Sequence, residues 1–213
     1  MPSFQQHLDT LQRWRRYPGR ERTESGLALT FDDGPDPDAT PAVLDALDAA
    51  GAKATFFMVG EQAVEHRALA REVAERGHQV GLHGHEHVEH DELGGRVKDD
   101  LARGLGTLEA ATGHRPLLFR PPYGRFSEDS YAACRDLHLE PIYWSAWGGD
   151  WEPVPAERIA DTTIRDLSAG TIVLLHDSAR YAYRQSAAPT AEALPAILAA
   201  AAERGIEPES IWA

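Results

Sequence analysis

The segment LALTFDDGPDPDAT, residues 27–40, ends an apolar run on two adjacent aspartates, Asp32 and Asp33. Like charges placed side by side call for either a solvated turn or a nearby cation. Further along, GLHGHEHVEH carries histidines at 83, 85, 87 and 90. His83 and His87 are four residues apart, a spacing that lets two imidazoles share one ion. Taken singly, each signal has an ordinary reading. Asp-Asp-Gly-Pro suits a surface turn, and a histidine-rich stretch suits a polar loop. Taken together, the Asp33 carboxylate and two imidazoles make a three-ligand divalent site with positions left open. Zinc fits that ligand set best, with Co²⁺, Ni²⁺ or Mn²⁺ as alternatives. Side chains alternate along an extended strand, but a turn at its end can bring both aspartates to one site with different tasks. Asp33 then ligates the metal, while Asp32 stays off it and accepts a proton from the attacking water. The metal or Arg120 supplies the neighbouring positive charge.

These residues need elements to position them. Short apolar runs alternate with helical patterns from residue 26 onward. GLALTF, KATFFMVG, HQVGLHG, PLLFRPPYG, EPIYWSAWGG and TIVLLHD read as strands. Between them lie helical stretches: TPAVLDALDAAG, which opens on Thr-Pro and stops at Gly51, then AVEHRALAREVAERG, RVKDDLARGLGTLEAATG, SEDSYAACRDLHL and PAERIADTTIRDLSAG. TAEALPAILAAAAERG is the last helix. Strand–helix alternation predicts βα units around a parallel sheet, open or closed into a barrel. Functional residues of such sheets gather at the carboxyl ends of the strands. That end collects Asp32, Asp33, His83, His87, Arg120, Tyr123, Asp150, Trp151, His176 and Asp177.

Composition narrows the partners. The chain has 213 residues, 42% apolar and 26% charged, an ordinary mix for one globular domain with one core. Its formal charge of −13 disfavours nucleic acid and anionic membrane as partners. The single cysteine, Cys134, allows no internal disulfide and reads as a small buried hydrophobe. No apolar stretch approaches the ~20 residues of a membrane span, and the N-terminus lacks the apolar core of a signal peptide. The expectation is a cytoplasmic protein, or a secreted one if a leader has been removed. Residues 1–25 are polar and locally basic, with Phe4, Leu8, Leu11 and Trp14 spaced for a short amphipathic helix. They read as an appendage to a domain spanning 26–213.

In this order, TFDDGP, His83-x-x-x-His87, RPPYG, DW and LLHD resemble the five motifs of the polysaccharide deacetylases, the NodB-homology domains of carbohydrate esterase family 4. The resemblance runs from about residue 26 to near the C-terminus. It implies a distorted (β/α) barrel and metal-dependent hydrolysis of acetyl groups. Carried over by position, it implies Asp32 as general base, Asp33, His83 and His87 as metal ligands, and Arg120 as partner of the base. It also implies the Tyr123 N–H as oxyanion donor and His176 as general acid, kept charged by Asp150. Trp151 and Leu174 become the walls around the acetyl methyl.

Two positions depart from the family pattern. Gly84 stands where a Ser or Thr hydroxyl usually steadies the metal loop. Trp147 replaces an aspartate three residues before Asp150 and bears on substrate class more than on catalysis. The expected activity is N-deacetylation of an acetylated carbohydrate. An O-acetyl esterase of the xylan type, a non-sugar amidase and a catalytically silent binding module are the competing readings. Against the last, a silent copy has no physical need for all of Asp32, Asp33, His83, His87 and His176.

Overall fold

The computed structural model describes residues 17–211. The helix expected around Phe4–Trp14 lies outside them. Each apolar run ends in a strand and each helical pattern in a helix, with two instructive exceptions. The strands are β1 (Leu27–Asp32), β2 (Thr55–Met58), β3 (Gln79–Leu82), β4 (Leu118–Phe119), β5 (Glu140–Pro141), β6 (Ala146–Trp147), β7 (Ile172–His176) and β8 (Pro208–Glu209). All pair in parallel, in the order β5-β4-β3-β2-β1-β7-β6, with β8 added beside β1. No pairing joins β5 to β6 among the described residues, so the curled sheet is an unclosed (β/α) barrel. Its central strands β1, β2 and β3 are buried along their whole length, as the strands of a sheet covered on both faces must be.

The helices are α1 (Thr40–Ala49), α2 (Gly60–Glu65), α3 (Arg67–Glu75), α4 (His90–Leu93), α5 (Val97–Thr112), α6 (Glu128–Leu137), α7 (Ala156–Arg165) and α8 (Ala188–Glu203). Local chemistry sets several ends. Pro41 stands in the first turn of α1. Gly113 closes α5 in the left-handed region, with φ 81°. Ser127 caps α6 in a reciprocal box with Ser130. Cys134 on α6 is buried, and burial pushes its thiol up to about 12, consistent with a packing role.

The first exception is the single helix expected over residues 63–77. The chain instead forms α2 and α3, broken at His66 (φ −118°, ψ 46°). The first turn of α2 is tied to the loop after β3: Gly60 N–H donates to Gly84 O at 2.9 Å and Glu61 N–H to His85 O at 3.0 Å. Those bonds fix the direction of α2 independently of α3.

The second exception is EPIYWSAWGG, one strand by its pattern and two short ones in fact, β5 and β6. Between them the backbone leaves the ladder to serve a side chain. The carbonyls of Ile142 and Tyr143 accept from Arg120 Nε and Nη2 at 3.4 and 3.0 Å. Tyr17 and Arg20, grouped by sequence with the appendage, lie against this region: the Tyr143 hydroxyl donates to Tyr17 O and the Tyr143 N–H to Arg20 O. Arg20 bridges to Ile142, and its guanidinium pairs with Glu140 at 2.8 Å.

Among the described residues, no helix is long and apolar enough to cross a membrane.

Candidate metal and catalytic site

The carboxyl ends of β1, β3, β4, β6 and β7 meet in one cavity of about 480 Å³. Its lining includes Asp32, Asp33, His83, His87, Trp151, Leu174 and His176. Tyr123 lines it too and is 48% exposed at the rim. Sequence position and geometry therefore agree on where the polar residues converge.

Asp32 and Asp33 separate as β1 ends, because Asp33 takes a left-handed conformation (φ 81°). That conformation is unusual for a residue with a side chain and marks a backbone held by its surroundings. Asp33 Oδ1 then lies 3.4 Å from His83 Nε2 and 3.1 Å from His87 Nε2. One ligand atom from each of the three residues lies within 4.8 Å of the others. Donor atoms around a tetrahedral zinc, with bonds of about 2.0–2.2 Å, stand roughly 3.3–3.6 Å apart. The cluster thus has the donor types and the spacing to hold a divalent ion. Burial pushes the Asp33 carboxyl up, but hydrogen bonding from His83 and His87, with the His87 and His176 charges, holds it well below the usual carboxylate range. His83 Nδ1 stands 2.7 Å from the Arg120 carbonyl. A proton on Nδ1 donates to that oxygen, so Nε2 is the nitrogen that would ligate an ion, giving up the proton it shares with Asp33 when one binds.

Asp32 turns its Oδ1 to Arg120, while its Oδ2 stands 3.8 Å from His83 Nε2, at the edge of the ligand cluster. Arg120 Nη1 donates to Asp32 Oδ1 at 2.7 Å and to Thr30 Oγ1 at 2.7 Å. The guanidinium is fully buried and lies over the Phe57 ring at 4.2 Å. Burial lowers the arginine's affinity for its proton and the Asp32 charge opposes that. A buried arginine with each of its three guanidinium nitrogens engaged fixes the carboxylate beside it in one orientation.

On the opposite wall, His176 Nδ1 meets Asp150 Oδ1 at 2.9 Å. Asp150 Oδ2 accepts the His176 backbone N–H at 2.8 Å and the Thr190 hydroxyl at 2.8 Å. Arg184 lies 3.5 Å from the same oxygen and donates to the carbonyls of His176 and Ser178. Burial alone would lower the His176 imidazole; the charge and hydrogen bond of Asp150, with Asp33 and Asp32 beyond, raise it to about 9. Trp151 stands edge-on to the His176 ring at 6.0 Å, and Leu174 completes the apolar wall. Trp147, the departure from an aspartate, is buried beneath the cavity and meets Trp151 edge-to-face at 5.7 Å. It adds to the apolar side of the site.

The turn after β4 (Pro122–Gly124) puts Tyr123 in the left-handed region at φ 57°. Its neighbours Gly124 and Arg125 spend their amides inside the turn, on the carbonyls of Pro121 and Pro122. The remaining two histidines of the cluster point elsewhere. His85 is buried against Gly60, and His90 stacks on Phe119 and bonds Ser130 at 2.8 Å. Burial pushes His90 down to about 4, so it stays neutral.

The loop that carries His83 and His87 is steadied by a group that sequence reasoning missed. Asp100 on α5 accepts His85 N–H at 2.9 Å and Glu86 N–H at 3.0 Å. Gly84 itself sits at φ 83°, where a Cβ would come within 2.8 Å of Glu86 O. The backbone conformation explains the missing hydroxyl, and Asp100 supplies the loop's anchor from outside. Tyr181, Tyr183 and the Arg125–Glu89 ion pair also line the cavity without a motif to announce them.

The sequence model described as polysaccharide deacetylase matches residues 19–142. A peptidoglycan-N-acetylglucosamine deacetylase of Bacillus cereus is 35% identical over 161 residues, covering 72% of this chain and 73% of that protein. A chitooligosaccharide deacetylase of Azorhizobium caulinodans is 32% identical over 192 residues, covering 86% and 91%. Among solved structures, a family 4 carbohydrate esterase from Streptomyces lividans in complex with acetate superposes with a TM-score of 0.78 at 28% identity, covering 87% of this chain and 92% of that one. On the motif match, the curled parallel sheet and these relatives, the chain belongs to the polysaccharide deacetylase family, the NodB-homology group of carbohydrate esterase family 4.

Proposed function

We propose that the protein is a metal-dependent hydrolase that removes acetyl groups from N-acetylated sugars. The observation that carries this reading is the pair of opposed proton-handling groups flanking one ligand cluster. Asp32 is oriented by Arg120, and His176 is held as a cation by Asp150. Asp33, His83 and His87 are the residues that would hold a divalent ion, zinc by donor type with Co²⁺, Ni²⁺ or Mn²⁺ as alternatives. When bound, such an ion supplies Lewis acidity and eases the deprotonation of water.

The chain's own residues account for the proton traffic. Water adds to the acetamide carbonyl and gives its proton to Asp32. The carbonyl oxygen gains negative charge, and the Tyr123 N–H is the backbone donor assigned to it. Collapse of the tetrahedral centre breaks the C–N bond. An amide nitrogen leaves poorly as an anion, so the His176 imidazolium gives it a proton and a neutral amine departs. Acetate and the free amino sugar are the products. Trp151 and Leu174, both in the cavity lining, offer apolar surface to the acetyl methyl. Tyr123 and Tyr183, 48% and 71% exposed, offer ring faces at the rim on which sugar rings can stack. The deacetylases among the relatives act on peptidoglycan N-acetylglucosamine and on chitooligosaccharides, which supports the same substrate class here.

Acetate release from chitooligosaccharides, peptidoglycan fragments, acetylxylan and a small aryl acetate tests the reading, with zinc or cobalt and with chelator. Metal-dependent release from an N-acetyl sugar is the expected result. Release from esters alone moves the activity to O-deacetylation, and release from none of them rejects a carbohydrate substrate.

A further inference from the structure

Histidines that ligate metals generally fix their rings by donating the second ring N–H to a carbonyl or carboxylate. His83 has such a partner in the Arg120 carbonyl. His87 has none: its Nδ1 is buried without a hydrogen-bond partner among the described residues, although its side chain is only 3% exposed. The loop position at which the family pattern carries a hydroxyl is Gly84, where a Cβ would strain the backbone and crowd Glu86 O at 2.8 Å.

Aromatic rings take up the task. Tyr181 lies flat against the His87 ring, with centroids 3.9 Å apart and planes 12° apart. Tyr123 closes another side edge-on, at 4.5 Å and 68°. A ring stacked at this distance cannot rotate about its Cβ–Cγ bond without displacing its neighbour. Tyr181 is itself anchored. With the Gln62 amide oxygen turned toward it, the Tyr181 hydroxyl donates to that oxygen at 3.1 Å, and Arg180 Nε donates to the same atom at 2.9 Å. Gln62 is buried on α2, whose first turn is bonded to the metal loop. The anchor and the ligand therefore share one local frame.

We propose that Tyr181 is the positioning residue of His87, and that its ring does by stacking what the Arg120 carbonyl does for His83 by hydrogen bonding. The proposal rests on the metal-site reading given above. It assigns a task to the segment after β7, which lies outside the five motifs.

Zinc binding by calorimetry and the d–d absorption of the cobalt form test it in the full chain. Three proteins are compared: the wild type, Tyr181→Phe, which keeps the ring, and Tyr181→Leu, which removes it. Tyr181→Ser replaces the leucine variant if that one does not fold. The loss of a group that orients a ligand commonly costs about 10–100-fold in metal affinity. The expected result is near wild-type affinity and spectrum for Tyr181→Phe, with at least about tenfold weaker binding and an altered cobalt spectrum for Tyr181→Leu. Unchanged affinity and spectrum in Tyr181→Leu overturn the proposal while leaving the metal site standing. Equal losses in both variants also overturn it, because the hydroxyl and its bond to Gln62, rather than the stacked ring, then set the affinity. A wild-type chain that binds neither metal overturns the metal site itself, and this assignment with it.

Discussion

Asp32 on β1 stands in register with His176 on the neighbouring strand β7. The two groups assigned opposite proton tasks are thus cross-strand partners of a rigid parallel pair, both facing the cavity. Their separation is set by sheet geometry rather than by loops. What distinguishes them is the second partner each has. Asp32 is bound to a buried guanidinium, His176 to a buried carboxylate.

The first prediction concerns pH. His176 is held at about 9, above its ordinary value of 6.5. The stabilisation from its charged form is complete below about pH 6.5 and is lost as pH rises through about 9. The imidazole of the metal-free chain, followed by NMR, should titrate near the upper value. In Asp150→Asn the midpoint should fall toward or below 6.5, and the alkaline limb of the activity profile should move to lower pH. A midpoint unmoved by that substitution contradicts the assignment.

The second concerns the buried pair. Arg120→Met leaves the Asp32 carboxylate buried without its partner and strands the carbonyls of Ile142 and Tyr143. Removing one member of a buried ion pair costs about 3–5 kcal/mol. Urea unfolding should show a loss of that size. A loss under about 1 kcal/mol would mean that water or a neighbour compensates.

Much of this site was legible in the sequence, for a physical reason. Strand–helix alternation names the sheet end where functional groups collect, and Asp32, His83, Arg120 and His176 each lie at or next to a strand terminus. What escaped notice comes from distant parts of the chain. The split of EPIYWSAWGG follows from Arg120 taking carbonyls that a strand would have used, and no local pattern in that stretch records it. Asp100 looks like an ordinary polar helix residue, yet it holds the loop that carries His83 and His87. The aromatic partner of His87 lies after the last motif. In each case one residue meets a requirement created far away, and periodicity carries no trace of it.

The third prediction concerns the ligands. A ligand that binds only the native state, at a hundred times its dissociation constant, stabilises by about 2.7 kcal/mol. For a chain of this size that raises Tm by roughly 5–10 °C. Calorimetric scans with zinc and with chelator should differ by this amount in the wild type. The difference should vanish in His87→Ala, whose scan should be insensitive to zinc.

The fourth concerns acyl size. Leu174 is buried at 6% exposure on the apolar wall. Leu174→Ala should cost about 2–5 kcal/mol of stability. It should also lower the preference for acetyl over propionyl substrates by about tenfold or more, since a methylene in an apolar pocket counts for 10–200-fold. The ratio of kcat/KM values for the two acyl groups measures it, and an unchanged ratio places the methyl elsewhere.

In the proposed mechanism two adjacent aspartates divide the work, Asp33 toward the metal and Asp32 toward the proton. The most direct measurement is turnover of Asp32→Asn on the chosen N-acetyl sugar, with bound metal counted on the same preparation. The expected result is about one metal per chain, as in the wild type, with kcat lowered about 10²–10⁴-fold, the usual contribution of a positioned general base. Retention of metal with kcat within a few-fold of the wild type contradicts it.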